Sequence, residues 1–526
     1  MKKAKAVLFT VIIILAVLLA GLLFLLFNYQ FIDGVIIPKD SADDLRGKEL
    51  SFSQYESICN ELGTKPRWDV PLGSARFDSA SKNIAVGNFA MDELGSFAYF
   101  TELETVDASA ADCYEELMAL KEAYPALEVI YSVAVGTEQV DSAVESYTPK
   151  PGVSAEELME KLKYLPALKQ LDIIAMGYAQ QQEQKLIDAY PGVSVVCITE
   201  IAGTELSGLS KELSLETFSS ADIDMLCASA KRLFSLERID LGENLLSQEQ
   251  YCAIMDSYPG AEILCRLNFY GVEVSSDTDS LVLDGIQITD TAELDRAVQM
   301  LPRLEKVYMS DCGLSDEELD ELNNKYEDVR IIWTVYVKWF DCRTDAEDFC
   351  VSRITNNYGM MTMTDEVIYP IRYCTDMVTL DLGHMVYYNS DFVENMPNLR
   401  FLIMGDTNIS SIEALRNNKQ LYYLEIFLTD VTDLSPLFEL EELRYLNISY
   451  CPIEDYTQLF KLTWLEKLWF VRSGLTLEQQ EEIRQALPNT EVCFWTSDGS
   501  SVDQGWRTTD GYYEMRDNLG MFYHFG

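Results

Sequence analysis

Aromatic and polar side chains recur at intervals of 22 residues near the C-terminal third of the chain, and they are the residues best suited to recognising a ligand. Tyr and Trp bring a large contact area at a small loss of conformational entropy, so clusters of them are typical of interfaces. The spacing therefore predicts a binding surface. Its residues are Phe401, Tyr423, Glu425, Phe427, Tyr445, Asn447, Tyr450, Lys467 and Trp469.

Residue types that catalysis requires are scarce. His384 and His524 are the two histidines, and the sequence contains no nucleophile elbow, glycine-rich phosphate loop or CxxC pair. Zinc is not expected, because its sites need clustered Cys and His ligands. The sequence thus predicts no enzyme and no cofactor or metal, although a pair of carboxylates for glycoside hydrolysis is left open.

Four aspartates each follow the second apolar residue of their repeat phrase. A column of carboxylates of this kind suggests a calcium site. Alternate strands lie roughly 10 Å apart, whereas one calcium ion needs oxygens at about 2.3–2.6 Å, so neighbouring members cannot share an ion. We expect separate carboxylates that are solvated or bonded to turns. They are Asp107, Asp172, Asp240 and Asp381.

The charge of the chain excludes one class of partner. There are 40 Lys and Arg against 86 Asp and Glu, which gives a net charge of -46. Nucleic acids and anionic membrane surfaces bind clustered basic residues, so neither is an expected partner. The acidity is typical of a soluble, exported surface. Of the 12 cysteines, Cys197, Cys265, Cys312 and Cys451 lie in strand-like or turn positions, which predicts small buried residues more than a disulfide framework.

The N-terminus carries a candidate membrane anchor. Lys2, Lys3 and Lys5 precede an uncharged apolar run over residues 6–27, which is long enough to cross a hydrocarbon core of roughly 30 Å. A cleaved signal peptide is the alternative. The length of the run and the absence of a small-x-small site favour an uncleaved anchor. The lysines then predict a cytoplasmic N-terminus, one membrane pass and an extracytoplasmic remainder.

The elements that must position the aromatic residues are short repeats. Each begins with one phrase of three apolar residues, and the phrase recurs at a strict interval of 22 residues. The phrases are Leu399-Leu402-Met404, Leu421-Leu424-Ile426, Leu443-Leu446-Ile448 and Leu465-Leu468-Phe470, with Met377 one step earlier. This pattern resembles the leucine-rich repeat family in its short, internalin-like form, found in bacterial surface proteins.

The resemblance implies an α/β leucine-rich repeat solenoid with a parallel concave sheet, helices on the convex side and, here, an N-terminal transmembrane helix. The leucines then point inward and the alternating residues point outward, which places the aromatic set on the concave sheet. Thr407, Thr429, Cys451 and Ser473 occupy the slot where the family carries an Asn that bonds the turn. We expect them to be structural.

A longer period precedes the short one. Gly73, Gly136, Gly203 and Gly271 recur at 63, 67 and 68 residues, and Trp339 follows 68 later. Each unit predicts strand, helix, strand, helix, as two elongated turns of about 34 residues. Tyr124, Tyr190, Tyr258 and Tyr326 mark helix ends, the first three because a proline follows.

These patterns divide the chain into five parts. We predict a cytoplasmic stub and transmembrane anchor (1–31), a stem and N-terminal cap (32–67), long repeats (68–376), short repeats with a long final half-unit (377–495) and an aromatic C-terminal cap (496–526). The cap contains Trp506 and Tyr512, and we expect it to fold back on the last turn. The smooth junction of the two periods predicts one continuous solenoid, and a kink or boundary near residues 341–358 is the alternative.

Three functions are compatible with this organisation. The first is a non-catalytic, membrane-anchored module that binds a protein through the concave face. The second is recognition of a glycan or cell wall, or more remotely its hydrolysis, on the aromatic patch. The third is a structural spacer without a ligand, which a C-terminal tail folded over the patch would favour. The sequence does not identify the ligand.

Overall fold

The structure is a computed structural model, and it describes residues 2–351, 361–362, 364–495 and 506–521. Phe522, Tyr523 and Phe525 of the predicted cap, and the Ser/Asp/Gly-rich stretch at its start, lie outside these residues. The chain forms two compact units. The first comprises Met1–Leu241 and Ala253–Ile263, and the second comprises Gly242–Cys252 and Leu264–Gly526.

The first unit begins with the helix Lys2–Asn28. Within the described residues, its segment Leu8–Asn28 is the one helix long and apolar enough to cross a membrane, and none of that segment is buried. A hairpin (Tyr29–Ile32 with Val35–Pro38) and the helix Phe52–Leu62 follow. Ser51 caps this helix by accepting a hydrogen bond from the Gln54 backbone amide.

Ladders of short parallel strands build the long repeats. In the first unit they are Asn83–Ala85, Thr105–Asp107 and Glu128–Ile130, then Ser146–Tyr147, Gln170–Asp172 and Ser194–Val196, then Glu212–Ser214 beside Arg238–Leu245. In the second unit they are Ser280–Val282, Lys306–Tyr308 and Arg330–Ile332. The strands Arg238–Leu245 and Glu262–Phe269 and the helix Gln248–Ser257 contribute residues to both units.

Antiparallel hairpins, which were not predicted from the sequence, separate these ladders. They pair Asp69–Leu72 with Ala75–Asp78, Ser132–Val135 with Glu138–Asp141, Ile198–Ile201 with Thr204–Ser207, the end of Glu262–Phe269 with Val272–Ser275, and Thr334–Val337 with Phe340–Arg343. The recurring glycines lie in their two-residue turns at positive φ, for example 57° at Gly73. Three of the four ladders therefore hold three parallel strands, and the hairpins add further strands, where two strands per long repeat were predicted.

The predicted helix ends are confirmed. The helices end one residue before Tyr124, Tyr190, Tyr258 and Tyr326. The α-helices of the long repeats are Tyr114–Ala123, Ala155–Lys161, Gln180–Ala189, Ser220–Ala228, Gln248–Ser257, Ala292–Met300 and Asp316–Lys325. Turns of 3-10 helix lie at Met91–Tyr99, Leu162–Tyr164 and Ile174–Met176.

The second unit contains the short repeats as one parallel sheet, with seven strands among the described residues. In spatial order they are Asp348–Cys350, Thr379–Asp381, Phe401–Ile403, Tyr423–Glu425, Tyr445–Asn447, Lys467–Trp469 and Glu491–Cys493. Residues 22 apart pair directly, as Leu402 with Leu424 and Leu446 with Leu468. This register is the leucine-rich repeat arrangement that the sequence predicted.

Helices were predicted to connect the strands of the short repeats, but most of these connections are shorter. Four of them are 3-10 turns, at Asp391–Val393, Glu413–Asn417, Ser435–Glu439 and Tyr456–Lys461. The remaining elements are the two-stranded pair Met361–Thr362 with Met385–Val386, the helices Asp365–Ile368, Leu477–Ala486 and Asp510–Asn518, and 3-10 turns at Tyr369–Tyr373 and Trp506–Thr508. The final half-unit contains the helix Leu477–Ala486 before its strand, as the long repeat before residue 333 does.

Hydroxyl and thiol groups support the turns after the strands Phe401–Ile403 and Tyr423–Glu425. Thr407 donates to the Met404 carbonyl at 2.7 Å, Thr429 donates to the Ile426 carbonyl at 2.7 Å, and the Cys451 thiol lies 3.0 Å from the same carbonyl. All three side chains are buried. The structural role predicted for this slot is confirmed at these positions.

Candidate functional site

The short-repeat sheet has two faces because side chains alternate along each strand. Leu402, Leu424, Leu446 and Leu468 are fully buried on the repeat's own core side. The opposite side, which we call the outward face, carries the residues at the first and third places of each strand. These are Phe401, Ile403, Tyr423, Glu425, Tyr445, Asn447, Lys467 and Trp469.

The C-terminal residues 506–521, here called the tail segment, lie on the outward face. They form a short 3-10 turn, Trp506–Thr508, and the helix Asp510–Asn518. One hydrophobic cluster joins them to the sheet. Its buried members are Phe401, Ile403, Tyr423, Tyr445, Trp469, Val471, Trp506, Tyr512, Met515 and Leu519.

Trp506 anchors the tail segment. Its ring centroid lies 5.3 Å from that of Tyr423, 5.4 Å from Trp469 and 6.5 Å from Tyr445. These distances are those of favourable tilted and edge-on ring pairs. Trp506 is completely buried, so three adjacent strands together form its pocket.

The helix after Trp506 is built to pack closely. Thr509 caps it by accepting a hydrogen bond from the Tyr512 amide, and its hydroxyl donates to the Trp506 carbonyl at 2.8 Å. Tyr512, Met515 and Leu519 then recur at helical spacing and are all buried. The local sequence therefore produces an amphipathic helix whose apolar side faces the sheet.

Charged and polar groups lie beneath and around this apolar contact. Glu425 is buried and accepts a short hydrogen bond from the Tyr423 hydroxyl. Burial raises the pKa of Glu425, and the negative charge of Asp381 adds to the rise, whereas Arg507 and Tyr423 oppose it. Burial also holds the pKa of Tyr423 well above 10.0. A carboxylate in this setting favours a cation beside it.

Arg507 and Arg516 bring positive charge to the tail segment. Their guanidinium groups donate to the Tyr512 hydroxyl at 2.9 and 3.1 Å. At the far side, Glu514 of the tail lies 3.6 Å from Arg400 of the sheet, and Asn518 donates to the Thr379 hydroxyl at 3.3 Å. The tail segment thus spans the sheet from Trp469 to Thr379.

The predicted aromatic patch exists, but it is covered. Phe401, Tyr423, Tyr445 and Trp469 come together as expected, and Glu425 and Asn447 lie among them. All six are buried, because the tail segment occupies the face on which a ligand was expected. Of the alternatives that the sequence left open, the covered patch is the one observed.

Three predicted residues lie apart from this cluster. Phe427 is buried against His384, at a centroid distance of 5.9 Å, in space that Gly405 leaves free. Tyr450 is exposed in a turn at a positive φ of 63°. Lys467 forms an ion pair with Glu491 at 3.0 Å. The structure therefore does not place these three side chains in one site with the others.

A tail folded over the patch was one of the alternatives, but no tail residue was predicted as a member of the site. The prediction was a cap on the last turn, whereas the tail segment extends back to the strand Thr379–Asp381. The signal was present in Thr509 as a helix cap and in the spacing of Tyr512, Met515 and Leu519.

Three of the four aspartates are bonded to turns, as predicted. Asp107, Asp172 and Asp381 accept hydrogen bonds from the backbone amides two residues later. Across the part of the chain that the structure describes, no group of three or more His, Cys, Asp or Glu side chains is arranged to hold a metal ion.

Comparisons with known proteins concern the repeat fold. No protein-family profile matches the chain. No curated protein matches it either. Among solved structures, an internalin (InlF) from Listeria monocytogenes is 14% identical over 81% of this chain and 91% of its own, with a TM-score of 0.22.

Two further structures illustrate the range of similar proteins. A leucine-rich repeat protein of Leptospira interrogans is 12% identical over 66% of this chain and 100% of its own, with a TM-score of 0.23. The ectodomain of the Arabidopsis thaliana receptor kinase GASSHO1/SCHENGEN3, solved with CASPARIAN STRIP INTEGRITY FACTOR 2, is 13% identical over 78% of this chain and 42% of its own, with a TM-score of 0.22. The fold assignment rests on this chain's own 22-residue register and parallel sheet.

Proposed function

We propose that this chain is a membrane-anchored, extracytoplasmic and non-catalytic interaction protein that binds a helical segment of a protein on the outward face of its short-repeat sheet. The observation that carries the proposal is the helix already seated there. A surface that buries Trp506, Tyr512, Met515 and Leu519 of the same chain has the shape and chemistry to hold an amphipathic helix.

The anchor is supported by the N-terminal helix. Its segment Leu8–Asn28 exposes its aliphatic and aromatic side chains along the whole length, which is unfavourable in water and favourable in lipid. Lys2, Lys3 and Lys5 before it favour a cytoplasmic N-terminus. We expect the protein to resist extraction from membranes by carbonate. We also expect an external protease to digest all of the chain except its N-terminal fragment. A mature chain that begins after residue 28 would identify a cleaved signal peptide instead.

A structural spacer is the second candidate, and the covered face favours it. If the tail segment is a permanent part of the fold, the face never meets another molecule. Glycan recognition has less support, because the aromatic rings that would stack on sugars are buried against Trp506. The two candidates differ in one measurable property, which is whether the tail segment can be replaced.

The test uses the full chain with a protease site placed between residues 495 and 506. After cleavage, a fluorescent peptide with the sequence of residues 506–521 is added, and its exchange onto the nicked protein is followed by anisotropy. We expect saturable binding, and no binding of a matched peptide carrying Trp506→Ala, because Trp506 fills the three-strand pocket. Failure of the wild-type peptide to bind, with the nicked protein still folded, would support the spacer.

A variant of the face completes the design. Tyr445→Ala removes one wall of the Trp506 pocket and should weaken peptide binding. Tyr450→Ala alters an exposed tyrosine of the same repeat, outside the cluster, and should leave binding unchanged. Equal effects of the two substitutions would place the binding surface elsewhere.

A further inference from the structure

The tail segment extends across the sheet and is not confined to its last strand. Its contacts include the strand Lys467–Trp469 and the strand Thr379–Asp381, which is four strands away in the sheet order. A cap that only shielded the last repeat would have no reason to extend so far. The segment therefore acts as an occupant of the outward face.

The fit between this occupant and the face is incomplete. The Asn447 Nδ2 and the Trp469 Nε1 are buried, and neither has a hydrogen-bond partner among the described residues. Burying a donor without an acceptor is unfavourable, and most buried donors in proteins are paired. The tail segment consequently covers two hydrogen-bond donors that it does not satisfy.

The two donors are neighbours. Asn447 and Trp469 pair directly across adjacent strands, which lie about 4.8 Å apart. An amide oxygen has two lone pairs and accepts two hydrogen bonds. An Asn or Gln side chain placed above this pair brings an uncharged acceptor to these donors.

The charges nearby restrict which acceptor is suitable. Glu425 lies opposite Asn447 on the next strand, and the charge of Asp381 acts on Glu425 from farther along the sheet. A carboxylate brought to the same place would be repelled by these two acids and would also lose its hydration. Arg507 follows Trp506 directly in the tail segment and donates to the Tyr512 hydroxyl at 2.9 Å, so it brings a positive charge to this part of the face. A competing occupant needs a similar cation.

We propose that the outward face is a receptor for a partner helix with three features: an aromatic anchor in the Trp506 pocket, a cation next to that anchor, and an uncharged amide over Asn447 and Trp469. The tail segment is a built-in competitor that lacks the third feature, and the partner displaces it. This proposal rests on the helix-binding function argued above, and it names the chemistry of the partner.

The experiment uses the nicked full chain and two sets of peptides based on residues 506–521. One set replaces each position in turn by Gln, and the other replaces the same positions by Glu. At one or more positions on the side facing the sheet, we expect the Gln peptide to bind at least 5-fold more tightly than the wild type, the order expected for one additional hydrogen bond. The Glu peptide at that position should show no gain.

A substitution in the sheet tests whether the tighter binding of the Gln peptide depends on the Trp469 indole N–H. Trp469→Phe removes the indole N–H and keeps an aromatic ring, so it should reduce the advantage of the Gln peptide while the wild-type peptide still binds. If no Gln peptide exceeds the wild type, or if Glu peptides gain equally, the proposed amide recognition is wrong although helix binding stands. If the wild-type peptide itself does not bind, the failure lies with the proposed function.

Discussion

Gly511 of the tail segment lies directly against the ring of Tyr445. A methyl group added at Gly511 would come within 2.8 Å of that ring, closer than side chains approach one another. Glycine near the start of a helix is otherwise less favourable than alanine by up to about 1 kcal/mol. The close approach of helix and sheet therefore explains why a glycine is found here.

The first prediction follows from this contact. Gly511→Ala should destabilise the seated tail segment by about 1–3 kcal/mol, because the added methyl group overpacks the interface. Faster hydrogen exchange in the helix Asp510–Asn518 measures the effect. Gly95→Ala is the control, since Gly95 also lies in a helical turn but has no atom within 4 Å of its added methyl group. An unchanged or slower exchange in Gly511→Ala would contradict the packing.

The second prediction concerns pH. Burial raises the pKa of Glu425 above its ordinary 4.5 while the tail segment is seated, and release of the tail exposes the carboxyl to water. The seated state then binds the proton more tightly, so its stability is complete below about pH 4.5 and decreases as the pH rises through the seated-state pKa. The groups that face Glu425 are Arg507, Tyr423, Trp506 and Asp381.

Peptide exchange on the nicked chain should accordingly accelerate with rising pH, by up to about tenfold per pH unit within that window. Glu425→Gln keeps the shape and removes the titration, so its exchange should depend less on pH and should be slower at neutral pH. The same pH profile in Glu425→Gln and the wild type would assign the dependence to other groups.

The third prediction tests the turn slot of the short repeats. Thr407→Val keeps the volume and removes the hydrogen bond to the Met404 carbonyl, which leaves a buried acceptor without its donor. We expect a loss of about 1 kcal/mol in the free energy of unfolding, measured by urea denaturation. Thr432→Val, at an exposed position, is the matched control and should have little effect. Equal stability of Thr407→Val and the wild type would show that the slot needs only volume.

The fourth prediction concerns the cysteines. All twelve lie within the described residues, and Cys252 is exposed whereas the others are partly or fully buried. Brief labelling of the native, reduced protein with a maleimide should therefore modify Cys252 first, as peptide mapping can determine. Cys252→Ser should remove most of the fast-reacting thiol. Rapid labelling of Cys265 or Cys312 instead would contradict the packing of the strands and turns that bury them.

The repeats were predictable from the sequence because their packing is local. Leu402, Leu424 and Leu446 each occupy the same place in a 22-residue unit, and the fold repeats the same contact. The helix ends were predictable for the same reason, since a proline after Tyr124 acts on the residue beside it.

The hairpins and the covered face were harder to predict for different reasons. At Tyr270 and Gly271 the two-residue turn has the chemistry of a hairpin, but the first strand alone already fits an alternating pattern, and the turn was overlooked. The position of the tail segment depends on contacts between residues far apart in the chain, such as Asn518 with Thr379. Periodicity carries no information about such contacts.

The most direct test of the account is a crosslink between those two residues. Asn518 and Thr379 are 139 residues apart in sequence, and their side chains meet at 3.3 Å. In the double variant Thr379→Cys with Asn518→Cys, mild oxidation should join the two positions in a disulfide that peptide mapping identifies, and each single variant should lack it. If the two introduced thiols remain free and alkylate readily under the same conditions, the tail segment does not lie on the outward face.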